Sequence, residues 1–388
     1  MGYDVRTVRD RRTMRDFLRL PERIYRGDPN YVPPLTHEVR RTLDARKNPY
    51  FVQAILKLLV CYRDGIPAAR TALVINARHE QKFGVRAAFF GFFESIDDPA
   101  AAQALFATAR HFCQSHRATL LEGPFNPNHY SELGLLLDHY SRPPTFFQTY
   151  NPPYYRGLLE AAGFSLSATL FTARNERIAA TVAEQFTVRP PVPEAFVVRH
   201  LDLRNRAEEM EKIREVFNDA FAANWHFLPA NKDEYDFSAK FIHLITEPDL
   251  IWFVEHHGQP VGVALCVLDV NPLLRHFRGR PRAIALVRFL RGKRRVPTAL
   301  IYAVGIRKRY HGTRVSTLLL DAVARTLGRF ESAESTWMSE HNTVARRAVA
   351  RLGMKEDKHF GIFALHLVPD VDGGTGSSMP AVLEAHNE

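Results

Sequence analysis

The most chemically suggestive stretch of this 388-residue sequence is a run of basic residues in its second half. Residues 270–320 contain 13 of the 52 lysines and arginines and no aspartate or glutamate. This segment alone carries more positive charge than the net +10 of the whole chain. Such a concentration of charge predicts an anionic partner: a phosphorylated cofactor, an RNA or a membrane surface. A solvated basic loop is the plainer alternative.

Within this stretch, residues 269–297 intersperse basic side chains with large apolar ones such as Phe277, Phe289 and Leu290. The pattern predicts an amphipathic basic helix, which could lie on RNA or on anionic lipid. The basic residues are Arg275, Arg278, Arg280, Arg282, Arg288, Arg291, Lys293, Arg294 and Arg295.

Other chemistries find little support. Cys61, Cys113 and Cys266 lie far apart in apolar stretches, which indicates buried reduced thiols and neither a disulfide framework nor a zinc site. The 17 histidines show no metal-ligand spacing, so no metal is predicted. No apolar run approaches the ~20 residues of a membrane-spanning helix, and no signal peptide is evident. We therefore expect a cytoplasmic globular protein.

The elements around the basic stretch repeat in the first half of the chain. Gly65-Ile66-Pro67 and Gly258-Gln259-Pro260 each separate two apolar runs, as hairpin turns do, and they lie 193 residues apart. Two short helices predicted to end at Gly163 and Gly353 lie 190 residues apart. The nearly equal separations predict two copies of one fold.

Each copy is predicted to run β-α-β-β-β-α-β-α-β, because amphipathic helices after Asp98-Pro99 and from Val315 fit the same places in it. The fold class is therefore α/β with a mixed sheet. We expect a first copy over residues 1–185, a linker over 186–194, a second copy over 195–368 and a disordered tail over 369–388.

Two segments of the second copy, residues 303–320 and 335–342 with the helix that ends at Gly353, resemble the acetyl-CoA motif of the GCN5-related N-acetyltransferase (GNAT) superfamily. The order of elements in both copies is similar to that fold, so the resemblance covers nearly the whole chain as a tandem pair. Pro29-Asn30-Tyr31-Val32-Pro33-Pro34 and Lys47-Asn48-Pro49 resemble an uncharacterised bacterial group within it.

The resemblance implies an acyl-CoA whose pyrophosphate is held by backbone N–H groups at a helix N-terminus. The motif usually begins with Arg or Gln, has a Gly as its next fixed residue and ends with a small residue. In the best register, over residues 311–316, His311 replaces the Arg or Gln, Arg314 replaces the first Gly and Ser316 replaces the last small residue. Arg314 could block a phosphate or pair with it. The predicted contacts to acetyl-CoA or another acyl-CoA are Ile306, Arg307, Lys308, Arg309, His311, Gly312, Thr313, Arg314, Val315, Ser316 and Asn342, the last of which could instead cap a helix.

The corresponding loop of the first copy, Glu94–Pro99, places carboxylates and no glycine before its helix. Asp98 and Pro99 have the residue types of an N-cap and a first helical position. We predict that the first copy is degenerate for CoA and is structural or shapes the acceptor site.

Acyl transfer to an amine needs a base for the amine proton and an acid for the leaving thiolate. The resemblance implies a tyrosine four residues before the helix-ending glycine, but Val349 and Leu159 stand there. Glu340, after a predicted strand over 336–339, is the candidate base, and Tyr302 is the candidate donor. A surface glutamate and a core tyrosine are the plainer interpretations. Aromatic residues expected to shape the acceptor pocket are Trp225, His226 and Phe227.

The sequence therefore predicts an N-acetyltransferase-like enzyme whose second copy transfers an acyl group from acetyl-CoA, or a longer acyl-CoA, to an unidentified small-molecule or peptide amine. One alternative is an aminoacyl-tRNA-dependent transferase, since such enzymes use tandem copies of this fold and the basic segment could bind nucleic acid. Another is a non-catalytic protein that binds a ligand or partner. No oligomeric state is predicted.

Overall fold

A single long mixed β-sheet with helices packed on it runs through residues 2–281 and 283–367, the part of the chain that the computed structural model describes. The side chains of residues 240–244 are outside that description, as is the tail predicted over 369–388. The predicted mixed α/β class is confirmed.

The first half of the chain supplies nine strands and six helices to this described region. The strands are β1 (Tyr3–Thr7), β2 (Ala54–Arg63), β3 (Ile66–Asn76), β4 (Ala87–Ser95), β5 (Leu120–Gly123), β6 (Phe125–Asn126), β7 (Glu132–Leu133), β8 (Leu135–Leu136) and β9 (Ser165–Asn175). The helices are α1 (Arg11–Ile24), α2 (Thr36–Thr42), α3 (Ala77–Phe83), α4 (Pro99–Ser115), α5 (Tyr155–Ala161) and α6 (Ile178–Gln185). Strands β6–β8 belong to an insertion between β5 and α5.

The second half repeats the order with an insertion of its own. Its strands are β10 (Phe196–His200), β11 (Ile251–His256), β12 (Gln259–Leu268), β13 (Thr298–Ile306), β14 (Ser332–Ser335), β15 (Met338–Ser339) and β16 (Lys355–His366). Its helices are α7 (Arg206–Ala220), α8 (Lys232–Ile245), α9 (Asn271–Leu274), α10 (Ala283–Gly292), α11 (Val315–Leu327) and α12 (Thr343–Arg351). Helices α9 and α10 lie in the predicted basic insertion.

The two halves exchange their last strands. The sheet order is β1-β2-β3-β4-β5-β16-β9-β14-β13-β12-β11-β10. Strand β16 pairs antiparallel with β5, from Phe363 opposite Gly123 to His366 opposite Leu120, and β9 pairs antiparallel with β14. Each half therefore completes its sheet with a strand from the other, and one ladder continues across the whole molecule.

A buried polar network fixes this junction. Glu334 on β14 is fully buried, and Arg174 of β9 donates to its Oε2 over 2.9 Å. Gln148, from the first insertion, donates to the other carboxylate oxygen and accepts from the Nζ of Lys358 on β16 over 2.8 Å. Burial lowers the pKa of Lys358. Since buried charges are stable only when paired, this network strongly favours one register of the exchanged strands.

Local signals in the sequence explain the ends of the helices. The Asp98 carboxylate caps α4 by accepting from the backbone N–H groups of Ala100 and Ala101, with Pro99 at the first helical position, as predicted. Gly163 and Gly353 follow α5 and α12 with φ of +91° and +64°, a conformation that glycine adopts without strain.

The strand predicted over residues 336–339 forms only at its second half, Met338–Ser339. The chain forms β14 over Ser332–Ser335, leaves the sheet, and pairs again with β9 only at Met338–Ser339. Thr336 causes the break, because its N–H donates to the carbonyl of Ile301 and its hydroxyl to that of Tyr302. Both bonds tie it to the neighbouring β13.

Candidate functional site

The two central parallel strands of the second half separate part of the way along. Strands β13 and β14 are paired from Thr298 opposite Ser332 to Ile301 opposite Ser335, whereas β13 continues to Ile306. Tyr302 is therefore the first residue beyond the last pair. This opening is where the resemblance noted in the sequence implies that an acyl-CoA enters between the strands.

The loop from β13 to α11 is exposed and basic. Gly312 at its tip has a φ of +74°, and a Cβ added there would meet nothing within 4 Å. Lys308 and Arg309 are exposed, and the Arg309 guanidinium lies 5.0 Å from the ring centroid of Tyr310. Arg307 is held elsewhere, since its guanidinium donates to the Pro260 carbonyl and lies 3.0 Å from the Glu215 carboxylate.

The N-terminus of α11 presents unused donors. Thr313 accepts from the backbone N–H of Val315, but no described residue accepts a hydrogen bond from the backbone N–H of Ser316 or Thr317. Arg314 is exposed and forms no ion pair with any carboxylate in the described ranges. Free N–H groups, the helix dipole and an unpaired guanidinium together make a good site for a phosphate.

The remaining predicted CoA contacts are placed as follows. The ring nitrogen of His311 lies 3.0 Å from the carbonyl of Ile306, which closes the loop on itself. The Val315 side chain is fully buried in the core, so only its backbone faces the loop. Asn342 caps α12 by accepting from the Ala345 N–H over 2.9 Å. Its capping role thus satisfies its side chain without a cofactor.

A cavity of about 400 Å³ lies between the two halves and reaches the opening beside β13. The second half contributes apolar side chains of α7 and of the strands beneath it, including Met210, Ile213, Phe217 and Leu265. Tyr302 lines the cavity and packs against Phe147 of the first insertion, with ring centroids 4.6 Å apart. The other wall is built from the first half: the Tyr31–Leu35 segment, Phe92 and Phe93, and the insertion over residues 124–151.

Several ionisable groups that line this cavity have shifted pKa values, and Glu132, Glu94 and Tyr302 are among them. Burial raises the pKa of Glu132 on β7 to about 7, against the opposing hydrogen bond from Asn126. Burial also raises the pKa of Glu94. The hydroxyls of Tyr25 and Tyr155 both donate to its Oε2, so this carboxyl already has a structural role. Burial raises the pKa of Tyr302 to about 12.

Glu132 and Tyr302 both line this cavity. The Tyr302 hydroxyl donates to the backbone carbonyl of Tyr130 over 3.4 Å, and Glu132 follows two residues later. Sequence reasoning missed Glu132. The available signal was that it is the only acidic residue between Gly123 and Leu137, within an insertion already recognised as such.

Glu340 is not brought together with these groups. It lies exposed in the turn after β15 and is not among the residues that line the cavity. Its role as a base stays a prediction.

None of residues 225–227, predicted to shape the acceptor pocket, is among the residues that line this cavity. Instead, His226 connects the two halves, since its Nε2 lies 2.8 Å from the Glu122 carboxylate and its Nδ1 lies 2.7 Å from Nε2 of His79. Burial lowers the pKa of His79 to about 4. Trp225 packs near Phe125, with ring centroids 6.0 Å apart. The loop contacts the first half because the strand exchange brings that half alongside it.

The matching opening in the first half is filled by its own insertion. Strands β4 and β5 pair only from Ala87 to Phe89, and β6 enters beyond that point. A Cβ on Gly91 would lie 1.7 Å from the carbonyl oxygen of Phe125. The Asn126 side chain accepts from the Phe92 N–H over 2.6 Å. Backbone therefore occupies the place that corresponds to the open cleft beside β13.

Comparison with known proteins identifies the class. The acetyltransferase (GNAT) family matches residues 210–354, which make up most of the second half of the chain. A tandem GNAT protein from the clavulanic acid biosynthesis pathway, solved without acetyl-CoA, superposes with a TM-score of 0.57 at 14% identity over 95% of this chain and 100% of that one. The whole chain therefore has the tandem GNAT fold.

Two bacterial proteins match over almost the full length. Protein YghO of Escherichia coli K12 is 26% identical over 368 residues, covering 92% of this chain and 94% of its own. The bacterial ceramide synthase of Caulobacter vibrioides is 26% identical over 362 residues, covering 90% and 94%.

The described residues offer no group of metal ligands and no helix that could span a membrane. Between residues 2 and 367, leaving out residue 282, no group of histidine, cysteine and acidic side chains is placed to hold a metal ion. No helix in the same ranges is long and apolar enough to cross a bilayer. Cys61, Cys113 and Cys266 are buried free thiols.

Proposed function

We propose that this protein is an acyl-CoA-dependent N-acyltransferase that carries a long acyl group to an amphiphilic amine. The observation that carries the proposal is the mainly apolar cavity of about 400 Å³ that reaches Tyr302, where β13 and β14 separate. A cavity of this size suits a small-molecule site. It lies at the position from which a thioester held between the strands would extend.

The preference for a long acyl chain and a lipid-like amine is supported by the ceramide synthase relative. A ceramide is the amide of a fatty acid with a long-chain amino alcohol, so its synthesis joins two long apolar chains at one polar centre. A cavity lined mainly by apolar side chains, with a few ionisable groups among them, has a matching composition.

The pyrophosphate of the CoA is assigned to the N-terminus of α11. The backbone N–H groups of Ser316 and Thr317 and the side chains of Lys308, Arg309 and Arg314 supply its donors and positive charge. Arg307 acts indirectly, because its contacts with Pro260 and Glu215 fix the start of the loop. The compartment we propose is the cytoplasm, which is consistent with the three reduced cysteines.

The reaction is direct attack. The neutral amine nitrogen forms a bond to the thioester carbonyl carbon, the C–S bond breaks, and the CoA thiolate leaves with the electron pair. Glu132 accepts the proton lost by the amine, since a pKa of about 7 lets it act as a base near neutral pH. Tyr302, whose pKa of about 12 keeps it protonated, donates a proton to the thiolate.

Isothermal titration with acetyl-, butyryl- and octanoyl-CoA tests the cavity assignment without any acceptor. Burying one methylene contributes about 0.8 kcal/mol, so the affinity should rise by up to about fourfold for each methylene that enters the cavity. Ala239 lines the cavity from α8, and Ala239→Leu should weaken octanoyl-CoA selectively. Equal affinity for all three would overturn the long-chain assignment, and binding of none of them would overturn the proposed function.

A further inference from the structure

Helix α10 exposes one continuous apolar face. Ile284, Leu286, Val287 and Leu290 have exposed fractions of 72%, 50%, 47% and 60%. The opposite side of the helix anchors it, since Ala285 and Phe289 are buried in the core of the second half. Single exposed apolar residues are common on proteins, but four within a ten-residue helix form a patch of the kind that marks an interaction site.

The border of this face is basic. Arg288 and Arg291 lie on the same helix, and Arg294 and Arg295 follow in the next turn. All four side chains are exposed, and in the described part of the chain no carboxylate lies within ion-pair distance of any of them. Side chains of this charge around an apolar face are complementary to anionic lipid headgroups, whose phosphates lie just above the acyl chains.

The same insertion borders the cavities. Arg275, Arg278 and Arg280 line a second cavity, of about 670 Å³, which shares Tyr31 and Pro33 with the apolar cavity of the candidate site. The insertion is held against the first half, because the backbone N–H of Thr36 donates to the carbonyl of Gly279 over 2.9 Å. The insertion that contains α10 therefore borders both cavities and contacts the first half.

We propose that α10 is a membrane-docking helix, which lies in the surface of an anionic bilayer with its four exposed apolar side chains among the acyl chains. The arginines at its border then contact headgroup phosphates. An RNA partner fits this surface less well, because the aromatic ring of Phe289 is buried and the exposed side chains are aliphatic, whereas single-stranded RNA is bound by stacking on exposed rings. The docking does not depend on the acyl-transfer chemistry. Docking would let the lipid amine enter from the bilayer, and this consequence rests on the proposed function.

Flotation of the full-length protein with vesicles tests the docking. We expect binding to phosphatidylcholine vesicles that contain phosphatidylglycerol and much weaker binding to phosphatidylcholine alone. The double variant Leu286→Glu/Leu290→Glu should lower the partition coefficient at least about tenfold, because two inserted side chains are lost. Val188→Glu and Val52→Glu, at side chains that are 82% and 81% exposed elsewhere, are the matched controls and should bind like the wild type.

Since all four substituted positions are exposed, the melting temperatures should stay within a few degrees of the wild type. Unchanged vesicle binding by the double variant, or no binding by the wild type, would overturn the docking. Salt-sensitive binding of tRNA without binding of vesicles would assign the basic surface to RNA instead. Octanoyl-CoA titration in the absence of vesicles separates the two proposals, because it tests the cavity whether or not α10 docks.

Discussion

At the scale of single residues, Arg314 decides whether the loop of the second half can hold CoA. It occupies the place of the first glycine in the expected motif, but it is exposed and unpaired with any described carboxylate. We therefore expect it to assist the phosphate. Arg314→Glu should weaken acyl-CoA binding by at least about tenfold in isothermal titration, since it replaces an attractive charge with a repulsive one.

Arg12→Glu, which makes the same charge change on an exposed part of α1, is the control and should leave the affinity unaltered. If instead Arg314→Gly tightened binding, the arginine would be an obstruction and not a ligand.

Glu132 sets the expected pH dependence. A base works in its ionised form, so kcat/KM should rise with pH through a midpoint near 7. Glu132→Gln should remove this rise and lower kcat/KM by about 10²–10⁴-fold, the usual contribution of a general base. Glu340→Gln is the comparison that the sequence suggests, and we expect it to retain the midpoint. A lost midpoint in Glu340→Gln alone would return the role of base to Glu340.

The same carboxyl predicts an effect on stability. Its pKa is raised in the folded state, so the wild type loses stability as the pH rises from the unfolded value, about 4.3, to about 7. The difference in melting temperature between Glu132→Gln and the wild type should therefore grow in favour of the variant over this interval. A difference in melting temperature that stays constant over this interval would show that folding does not raise the pKa of Glu132.

At the scale of elements, the first half differs from the second because β6 fills its opening. Gly91→Val would drive a side chain into the Phe125 carbonyl, so we expect at least about 2–3 kcal/mol of destabilisation by chemical denaturation. Gly157→Val is the control, since a Cβ at Gly157 meets nothing within 4 Å. Because Gly157 lies in α5, this substitution also changes helix propensity. Equal losses for the two variants would contradict a filled opening.

Elements defined by neighbouring residues could be predicted from the sequence. The hairpins at Gly65 and Gly258, the capped start of α4 and the glycine ends of α5 and α12 all depend on turn and capping chemistry within a few positions. The break at Thr336 and the insertion that lines the cavity depend on contacts with strands far away in the chain, which no local pattern encodes. Glu132 lies in that insertion, and Glu340 follows a segment that pairs with β9 only at Met338–Ser339.

At the scale of the whole molecule, the exchanged strands should make the halves interdependent. Residues 1–185 produced alone would lack β16 and leave the edge of β5 open, and residues 195–388 alone would lack β9. Unpaired central edges promote aggregation, so neither half should give a cooperative thermal transition, and joint production should restore one. A protease site placed within 186–194 is the control, because a nicked chain keeps both halves. A cooperative transition in either isolated half would contradict this interdependence.

Acyl transfer to a long-chain amine is tested by mass spectrometry of the product. Full-length protein incubated with palmitoyl-CoA and sphinganine should form the N-acyl amide, with one free CoA thiol released for each amide. Arg314→Glu and Glu132→Gln should lose this product, and Arg12→Glu should retain it. Release of thiol without amide, or no amide from any acyl-CoA offered with this amine, would show that the protein does not acylate a long-chain amine.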